Sequence, residues 1–156
     1  MPEFRLQMDI DANGVVVAVL KGRFDASEWL RQRTAVFESR YGPEDYDGLP
    51  VVTDFTGCRL PDRGWTEQFE AVARVLRGKR PTPYRHAIVM SGDSPGETAV
   101  SLFGQYQKLI ANPGVVTRSF ADFDSAYAWA LEGRDLAARP QQGSGTPAGR
   151  AEPPGD

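Results

Sequence analysis

The chain has 156 residues, of which 40% are hydrophobic and 25% charged, and its formal net charge is −3 at pH 7. A domain of this length buries a core without needing a metal ion or a disulfide. The single cysteine excludes a disulfide framework within the chain, and the slightly acidic balance gives no overall attraction to nucleic acid or to an anionic membrane.

The first residues match neither a signal peptide nor a transit peptide, and no apolar run reaches the ~20 residues of a membrane helix. We therefore expect a cytoplasmic protein with no membrane insertion and no nucleic-acid partner. Arginines far outnumber lysines among the basic residues, a composition that suggests a bacterial source.

The first 20 residues have the pattern of a β-hairpin. From residue 4 to residue 11, apolar and polar residues alternate with the period of a strand that buries one face. Asn13-Gly14 is a turn sequence, and the apolar run over residues 15–20 is typical of an inner strand. The sequence therefore predicts an antiparallel edge strand beside a buried one.

Helix and strand patterns alternate from residue 25 onward. Asp25 and Glu28 have the spacing of a helix cap, and apolar residues follow at helical spacing as far as Tyr41. Further helices are predicted over 65–76, 94–112 and 124–131, and strands over 49–55, 87–90 and 115–120. This order predicts an α/β domain with a mixed five-stranded sheet, about four helices and an antiparallel first strand.

The composition changes after the last predicted helix. Gly133 has the position of a C-terminal helix cap, and from residue 139 proline and glycine are frequent while large apolar side chains are missing. We therefore predict a single domain over residues 1–133 and a disordered, Gly/Pro-rich tail over residues 134–156.

Two reactive side chains invite a test for catalysis. Cys58 follows the predicted strand 49–55, and His86 precedes the strand 87–90. If these strands are parallel, the two residues lie at opposite ends of strands about 17 Å long. A Cys–His dyad is then not expected, and we predict a protein that is not an enzyme.

Other candidate sites are better explained by local structure. Residues 90–98 join a strand to a helix, but they lack the spacing and the lysine of a P-loop, and Ser94 with Glu97 forms a capping box. The remaining carboxylates match turn and cap preferences and show no EF-hand spacing. No metal ion and no cofactor are expected.

A run of basic residues begins in the last turn of the second predicted helix. It consists of Arg74, Arg77, Lys79, Arg80 and Arg85, with no acidic residue between Glu70 and Asp93. Such a run fits a docking patch for an acidic partner or a phosphorylated ligand. It equally fits a solvated helix terminus, where cations are favoured by the helix dipole.

One stretch carries a family resemblance. Asp54-Phe55-Thr56, followed by Asp62 and Gly64, resembles the central strand and loop of STAS domains, which are typified by bacterial anti-sigma-factor antagonists. Residues 116–131, with Phe120 at a strand end and Trp129 in a short helix, are similar to the closing pattern of SpoIIAA-like proteins. The resemblance covers residues 4–133 and implies a STAS/SpoIIAA-like fold.

The chain departs from this family at one functional position. In typical members, a serine after the second aspartate is phosphorylated and switches partner binding, whereas here Arg63 occupies that position and cannot accept a phosphate. The resemblance therefore implies a non-catalytic regulatory or protein-binding module without that switch. It places the partner-binding face on Asp54, Thr56, Asp62, Arg63, Trp65, Gly92 and Ser94.

Two other functions are compatible with the sequence. SpoIIAA-like folds resemble lipid-carrying domains in layout, and the predicted helices hold several aromatic residues, so a carrier of a small apolar, lipid-like ligand is one alternative. An anion- or nucleotide-binding protein that uses Arg59, Arg63 and the 92–98 loop is the other.

Overall fold

The computed structural model describes residues 3–61, 63–77, 79, 82–90, 96–112 and 114–143. Within these residues, the strands are β1 (Arg5–Ile10), β2 (Val16–Arg23), β3 (Val51–Arg59), β4 (Arg85–Val89) and β5 (Val116–Phe120). The helices are α1 (Ala26–Arg33), α2 (Pro43–Tyr46), α3 (Trp65–Leu76), α4 (Gly96–Tyr106) and α5 (Phe123–Gly143). A π-helical turn extends α1 over Thr34–Glu38, and a second extends α4 over Gln107–Ala111.

The five strands form one mixed sheet whose spatial order follows the chain, β1-β2-β3-β4-β5. β1 is antiparallel to β2, and each later strand is parallel to the one before it. The structure thus confirms the α/β fold class and the antiparallel edge strand. Asp11 closes the hairpin by accepting hydrogen bonds from the backbone of Asn13 and Val15, and Gly14 supplies the positive φ of 76°.

The helices divide unequally between the two faces of the sheet. Neighbouring parallel strands joined by right-handed crossovers place α1, α3 and α4 on the same face. Trp29, Phe69 and Phe103 from these helices enter one large apolar core with the facing residues of the sheet. α5 packs on the opposite face, against β3, β4 and β5. The smaller core beneath it contains Val15, Val52, Ala87, Val89, Ala126 and Ala130.

Because α5 packs on β3 to β5, the same face of β1 and the end of β2 stays exposed. Arg5 of β1 lies opposite Lys21 of β2 in the antiparallel register, and both are exposed.

Several predicted boundaries were wrong. β3 continues to Arg59, four residues past the predicted strand end, so Cys58 lies inside a strand; His86 likewise lies inside β4. The first long helix changes to a π-helical turn and ends at Glu38, and the short helix α2 follows at Pro43–Tyr46, where no helix was predicted.

The last helix differs most from its prediction. α5 continues through Gly133 to Gly143, so Gly133 is not a C-terminal cap and the first ten residues of the predicted tail are helical. The glycine is explained by packing, since a Cβ atom there would lie 2.7 Å from Cγ of Arg85. Residues 144–156 of the predicted tail lie outside the described residues. No helix in the described part of the chain is both long and apolar enough to span a bilayer.

Candidate functional site

The predicted partner-binding face begins at an irregularity in β3. Val19 of β2 pairs with Asp54, but Lys21 pairs with Gly57, so β3 contains one more residue than β2 over this interval. Such an extra residue is a β-bulge, which bends the strand and changes the direction of the side chains that follow. β4 pairs with β3 only as far as Asp54, so the rest of β3 extends beyond the β4 pairing.

Asp54 and Thr56 stabilise this bulge. The Asp54 Oδ1 atom accepts hydrogen bonds from the Thr56 backbone N–H at 3.0 Å and from the Thr56 hydroxyl at 2.7 Å. Thr56 is exposed, whereas Asp54 is half-buried. The two residues therefore act together as a local polar cap on the strand, and the threonine is accessible to a partner.

Arg63, Gly64 and Trp65 lie at the start of α3. Gly64 has a φ of 78°, a left-handed conformation that favours glycine, and Arg63 beside it is exposed. Trp65 is half-buried, with its ring centroid 5.6 Å from that of Phe69 in an edge-to-face contact. These contacts give Trp65 a role in the core, while Arg63 faces solvent.

The remaining predicted residues of this face are not part of the described structure. Asp62, Gly92 and Ser94 lie outside the described residues. Their assignment to the partner-binding face stays a prediction.

The structure reveals a cationic surface of which sequence reasoning had singled out only Arg59. We call it the basic sheet face and define it by Arg5, Lys21, Arg23 and Arg59. Arg5 pairs with Lys21 across β1 and β2, and Arg23 pairs with Arg59 across β2 and β3. All four are exposed, and none forms an ion pair with another described residue. The period-two pattern of β2 continues through Lys21 and Arg23, and this was the available signal.

By contrast, several members of the basic run that begins in the last turn of α3 have carboxylate partners. Arg74 contacts Glu70 at 2.6 Å one helical turn away, and Lys79 contacts Glu38 at 2.6 Å. Arg77 is exposed at the end of α3, and Arg80 lies outside the described residues. Because several members of the run pair with carboxylates, the run is better explained as a solvated helix terminus than as a shared docking patch.

Arg85, the last member of that run, is held by α5. Its Nη1 atom donates to the carbonyl oxygen of Trp129 at 2.8 Å, and its Cζ atom lies 4.7 Å from the centre of the Trp129 ring. Glu132 adds an ion pair at 3.6 Å. Arg85 therefore fixes α5 against β4 and is not a freely accessible cation.

The two reactive side chains lie far apart. His86 is opposite Val51 at the beginning of β3, whereas Cys58 is opposite Gly22 near the end of that strand. Burial raises the pKa of the Cys58 thiol to about 12, so the thiolate is scarce at neutral pH. Neither position supplies a base for the other.

His86 instead belongs to a buried polar network between β4 and the end of α4. Its Nδ1 atom lies 3.0 Å from Oε1 of Gln107, and its Nε2 atom lies 2.8 Å from the Thr53 hydroxyl. The Gln107 amide is oriented by Thr117, whose hydroxyl donates to Oε1, and by its own bond to the Tyr84 hydroxyl. Because Oε1 can only accept, His86 donates from Nδ1.

Acidic residues in the described part of the chain show no metal-ligating cluster. Asp45 caps α2 by accepting from the backbone of Gly42, and Asp122 accepts from the backbone and hydroxyl of Ser125 at the start of α5. The Ser125 backbone and hydroxyl hold the pKa of Asp122 below its ordinary value. These carboxylates have the turn and capping roles that were predicted for them.

Comparison with known proteins supports the fold. No protein-family model and no curated protein matches this sequence. The structure is similar to that of an uncharacterised DUF3478-family protein with a SpoIIAA-like fold from Shewanella loihica PV-4, with a TM-score of 0.53 and 12% sequence identity over 81% of this chain and 93% of that chain. A second similar structure is an anti-sigma factor antagonist from Mycobacterium paratuberculosis, with a TM-score of 0.48 and 16% identity over 82% and 94% of the two chains.

At this level of identity, the likeness shows the fold. The chain has a SpoIIAA-like, STAS-like fold, as its Asp54-Phe55-Thr56 motif and its order of helices and strands predicted. Function must be argued from the surfaces of this chain itself.

Proposed function

We propose that this protein is a non-catalytic, STAS-like regulatory module that binds an acidic surface of another protein in a bacterial cytoplasm. The proposed binding surface is the basic sheet face, together with Thr56 in β3 and Arg63 just before α3. The observation that carries this proposal is the pairing of like charges, Arg5 with Lys21 and Arg23 with Arg59, without a carboxylate partner among the described residues.

Like charges on neighbouring strands do not stabilise a sheet. Adjacent strands lie about 4.8 Å apart, and like charges directly opposite each other are destabilising. Elsewhere in this chain, cations such as Arg74 and Lys79 have carboxylate partners, and the net charge of the chain is negative. An unpaired cationic surface on an acidic chain therefore favours a role in recognition, because an acidic partner relieves the repulsion.

The absence of a phosphorylatable serine bears on regulation. Arg63, at the position where typical STAS regulators carry that serine, is exposed and permanently charged. We infer that partner binding does not depend on serine phosphorylation at this position. The arginine adds to the positive charge of the surface, which fits an acidic partner.

Affinity capture from a lysate of the source organism, quantified by mass spectrometry, tests the proposal. The site variant reverses two charges, Arg23→Glu with Arg59→Glu. The matched control reverses two exposed charges away from the basic sheet face, Arg77→Glu with Lys108→Glu, so both variants have the same net charge. Circular dichroism confirms that both fold before capture.

We expect a protein partner that the wild type and the control capture equally and the site variant captures at least tenfold less. Capture should also weaken with added salt, because exposed charges are screened. A partner that the site variant retains fully would contradict the proposed surface. Turnover of a small-molecule substrate by the purified protein would contradict the non-catalytic assignment.

A further inference from the structure

A buried arginine lies at the point where α1 changes to its π-helical turn. Arg33 has no exposed surface. Its Nη1 atom pairs with Glu38, but no atom of the described residues accepts a hydrogen bond from Nε or Nη2. Unsatisfied charged donors in a protein interior are costly, so these two N–H groups need an acceptor that the described residues do not provide.

Aromatic rings surround the guanidinium group without supplying that acceptor. The Arg33 Cζ atom lies 5.7, 5.4 and 5.3 Å from the ring centres of Trp29, Phe37 and Tyr46. These rings attract a cation through their π-faces. They leave the hydrogen-bonding edge formed by Nε and Nη2 without an anionic partner.

The charges around Arg33 do not balance. Glu38 contacts both Arg33 and Lys79, so one carboxylate serves two cations. Burial raises the pKa of Glu38, but the hydrogen bond from Lys79 and the charges of both cations outweigh it and lower the pKa. The cluster of Arg33, Glu38 and Lys79 therefore carries one excess positive charge at neutral pH.

Arg33 also lines a cavity of about 90 Å³ between the sheet and the helices α1, α3 and α4. Most of the lining is apolar, with Leu20, Phe24, Phe55, Phe69, Val72 and Phe103 among its members. An apolar cavity of ~150 Å³ holds one benzene molecule. The cavity here therefore suits a smaller group, of a few non-hydrogen atoms.

We propose that this cavity binds a short-chain monocarboxylate, such as propionate or butyrate. The carboxylate accepts a pair of hydrogen bonds from Nε and Nη2 of Arg33, which form one edge of the planar guanidinium. The single negative charge of the ligand matches the single excess positive charge of the cluster. The two- or three-carbon tail lies against the apolar lining.

The same features disfavour other classes of ligand. A phosphate monoester carries more negative charge and three strong acceptor oxygens, whereas one guanidinium edge offers two donors. A long fatty acid exceeds the cavity volume. This inference does not rest on the proposed partner surface, since Arg33 lies in the interior and the basic sheet face is exposed on the other side of the sheet.

Titration of the protein's amide NMR shifts with acetate, propionate, butyrate and hexanoate, up to about 10 mM, tests the proposal, because ligands of so few atoms bind weakly. Propionamide has the shape of propionate without its charge, and propylamine has the opposite charge. The test variant is Arg33→Met, which replaces the buried cation by an apolar side chain of similar length. The matched control is Arg31→Met, an exposed arginine of the same helix.

A second variant, Ala99→Leu, fills the cavity without altering Arg33, since Ala99 is buried and lines it. We expect propionate or butyrate to bind the wild type and the Arg31→Met control, and neither propionamide nor propylamine to bind. Arg33→Met should weaken binding about tenfold or more, as loss of hydrogen bonds to a charged group predicts. Ala99→Leu should abolish it.

The proposal fails if none of the four acids binds the folded wild type or if propionamide binds as well as propionate. Unchanged binding by Arg33→Met would also overturn it. If Arg33→Met does not fold, the Ala99→Leu variant decides the question. Loss of carboxylate binding by Ala99→Leu supports the cavity site, and binding at wild-type strength refutes the cavity site.

Discussion

Cys58 and His86 lie in neighbouring parallel strands but seven residues apart in the register, because His86 is opposite Val51. At about 3.3 Å per residue, this separation is roughly 23 Å along the strand. The thiol is buried among apolar residues, and the imidazole is held by Thr53 and Gln107. The most reactive pair of side chains in the sequence thus serves packing and hydrogen bonding in the sheet.

The first prediction concerns the reactivity of Cys58. Since burial raises the pKa of this thiol to about 12, native protein at pH 8 should react with a thiol reagent far more slowly than the urea-unfolded chain. Ellman's reagent measures both rates. A native rate equal to that of the unfolded chain would show an accessible, ionised thiol and contradict the assignment.

The second prediction concerns the close contact between Gly133 and Arg85. Gly133→Ala should destabilise the protein by about 1 kcal/mol, because the new methyl group displaces Arg85 from Trp129. In an Arg85→Ala background the same substitution should stabilise by about 0.5–1 kcal/mol, the ordinary gain of alanine over glycine in a helix. Urea unfolding of the wild type, the two single variants and the double variant completes this double-mutant cycle. Equal effects of Gly133→Ala in both backgrounds would show that the contact is unimportant.

The third prediction concerns the buried network around Gln107. Gln107→Leu removes the acceptor for His86 Nδ1 and the donor to Tyr84, and should cost about 2 kcal/mol of unfolding free energy. Gln105→Leu, an exposed position on the same helix, should change it by less than about 0.5 kcal/mol. Similar losses of unfolding free energy in the two variants would mean that the network does not contribute to stability.

The fourth prediction concerns the Arg33–Glu38 pair. Glu38→Ala should destabilise by about 3 kcal/mol at pH 7, because it leaves a buried guanidinium uncompensated. Glu70→Ala, which removes an exposed pair with Arg74, should cost about 0.5 kcal/mol or less.

This effect should depend on pH with a definite sign. The pKa of Glu38 is lower in the folded protein than its ordinary value of 4.5, so its stabilisation is complete above that value and decreases as the pH falls through the folded pKa. The difference in unfolding free energy between the wild type and Glu38→Ala should therefore become smaller as the pH is lowered from 7 to 3. A constant difference would refute the ion pair as its cause.

The sequence predicted the fold where one physical signal dominated. Alternation in β1 and the apolar stripe of α3 follow directly from burying one face, and both elements were correctly predicted. The predicted ends of strands and helices were wrong where tertiary contacts determine them. Pairing with β2 extends β3 to Arg59, and packing by Arg85, not a helix end, explains Gly133.

The candidate site was harder to predict than the fold. The motif around Asp54 predicted a partner-binding face at the end of β3, and this assignment stays a prediction. The basic run that begins in α3 was the other candidate, and the structure pairs several of its members with carboxylates. Arg23 and Arg59 are 36 residues apart and become neighbours only through strand register. In the sequence, Arg33 has the position of an ordinary exposed arginine in a helix, and only the tertiary structure shows that it is buried.

The central claim, recognition of an acidic protein through the basic sheet face, is tested most directly by hydrogen–deuterium exchange of the chain alone and with its captured partner. The account predicts that the partner protects backbone amides in residues 19–23 and 56–59 and leaves the end of α3, with Arg74 and Arg77, unchanged. Protection confined to the end of α3, with none in β2 or β3, would contradict the proposed surface.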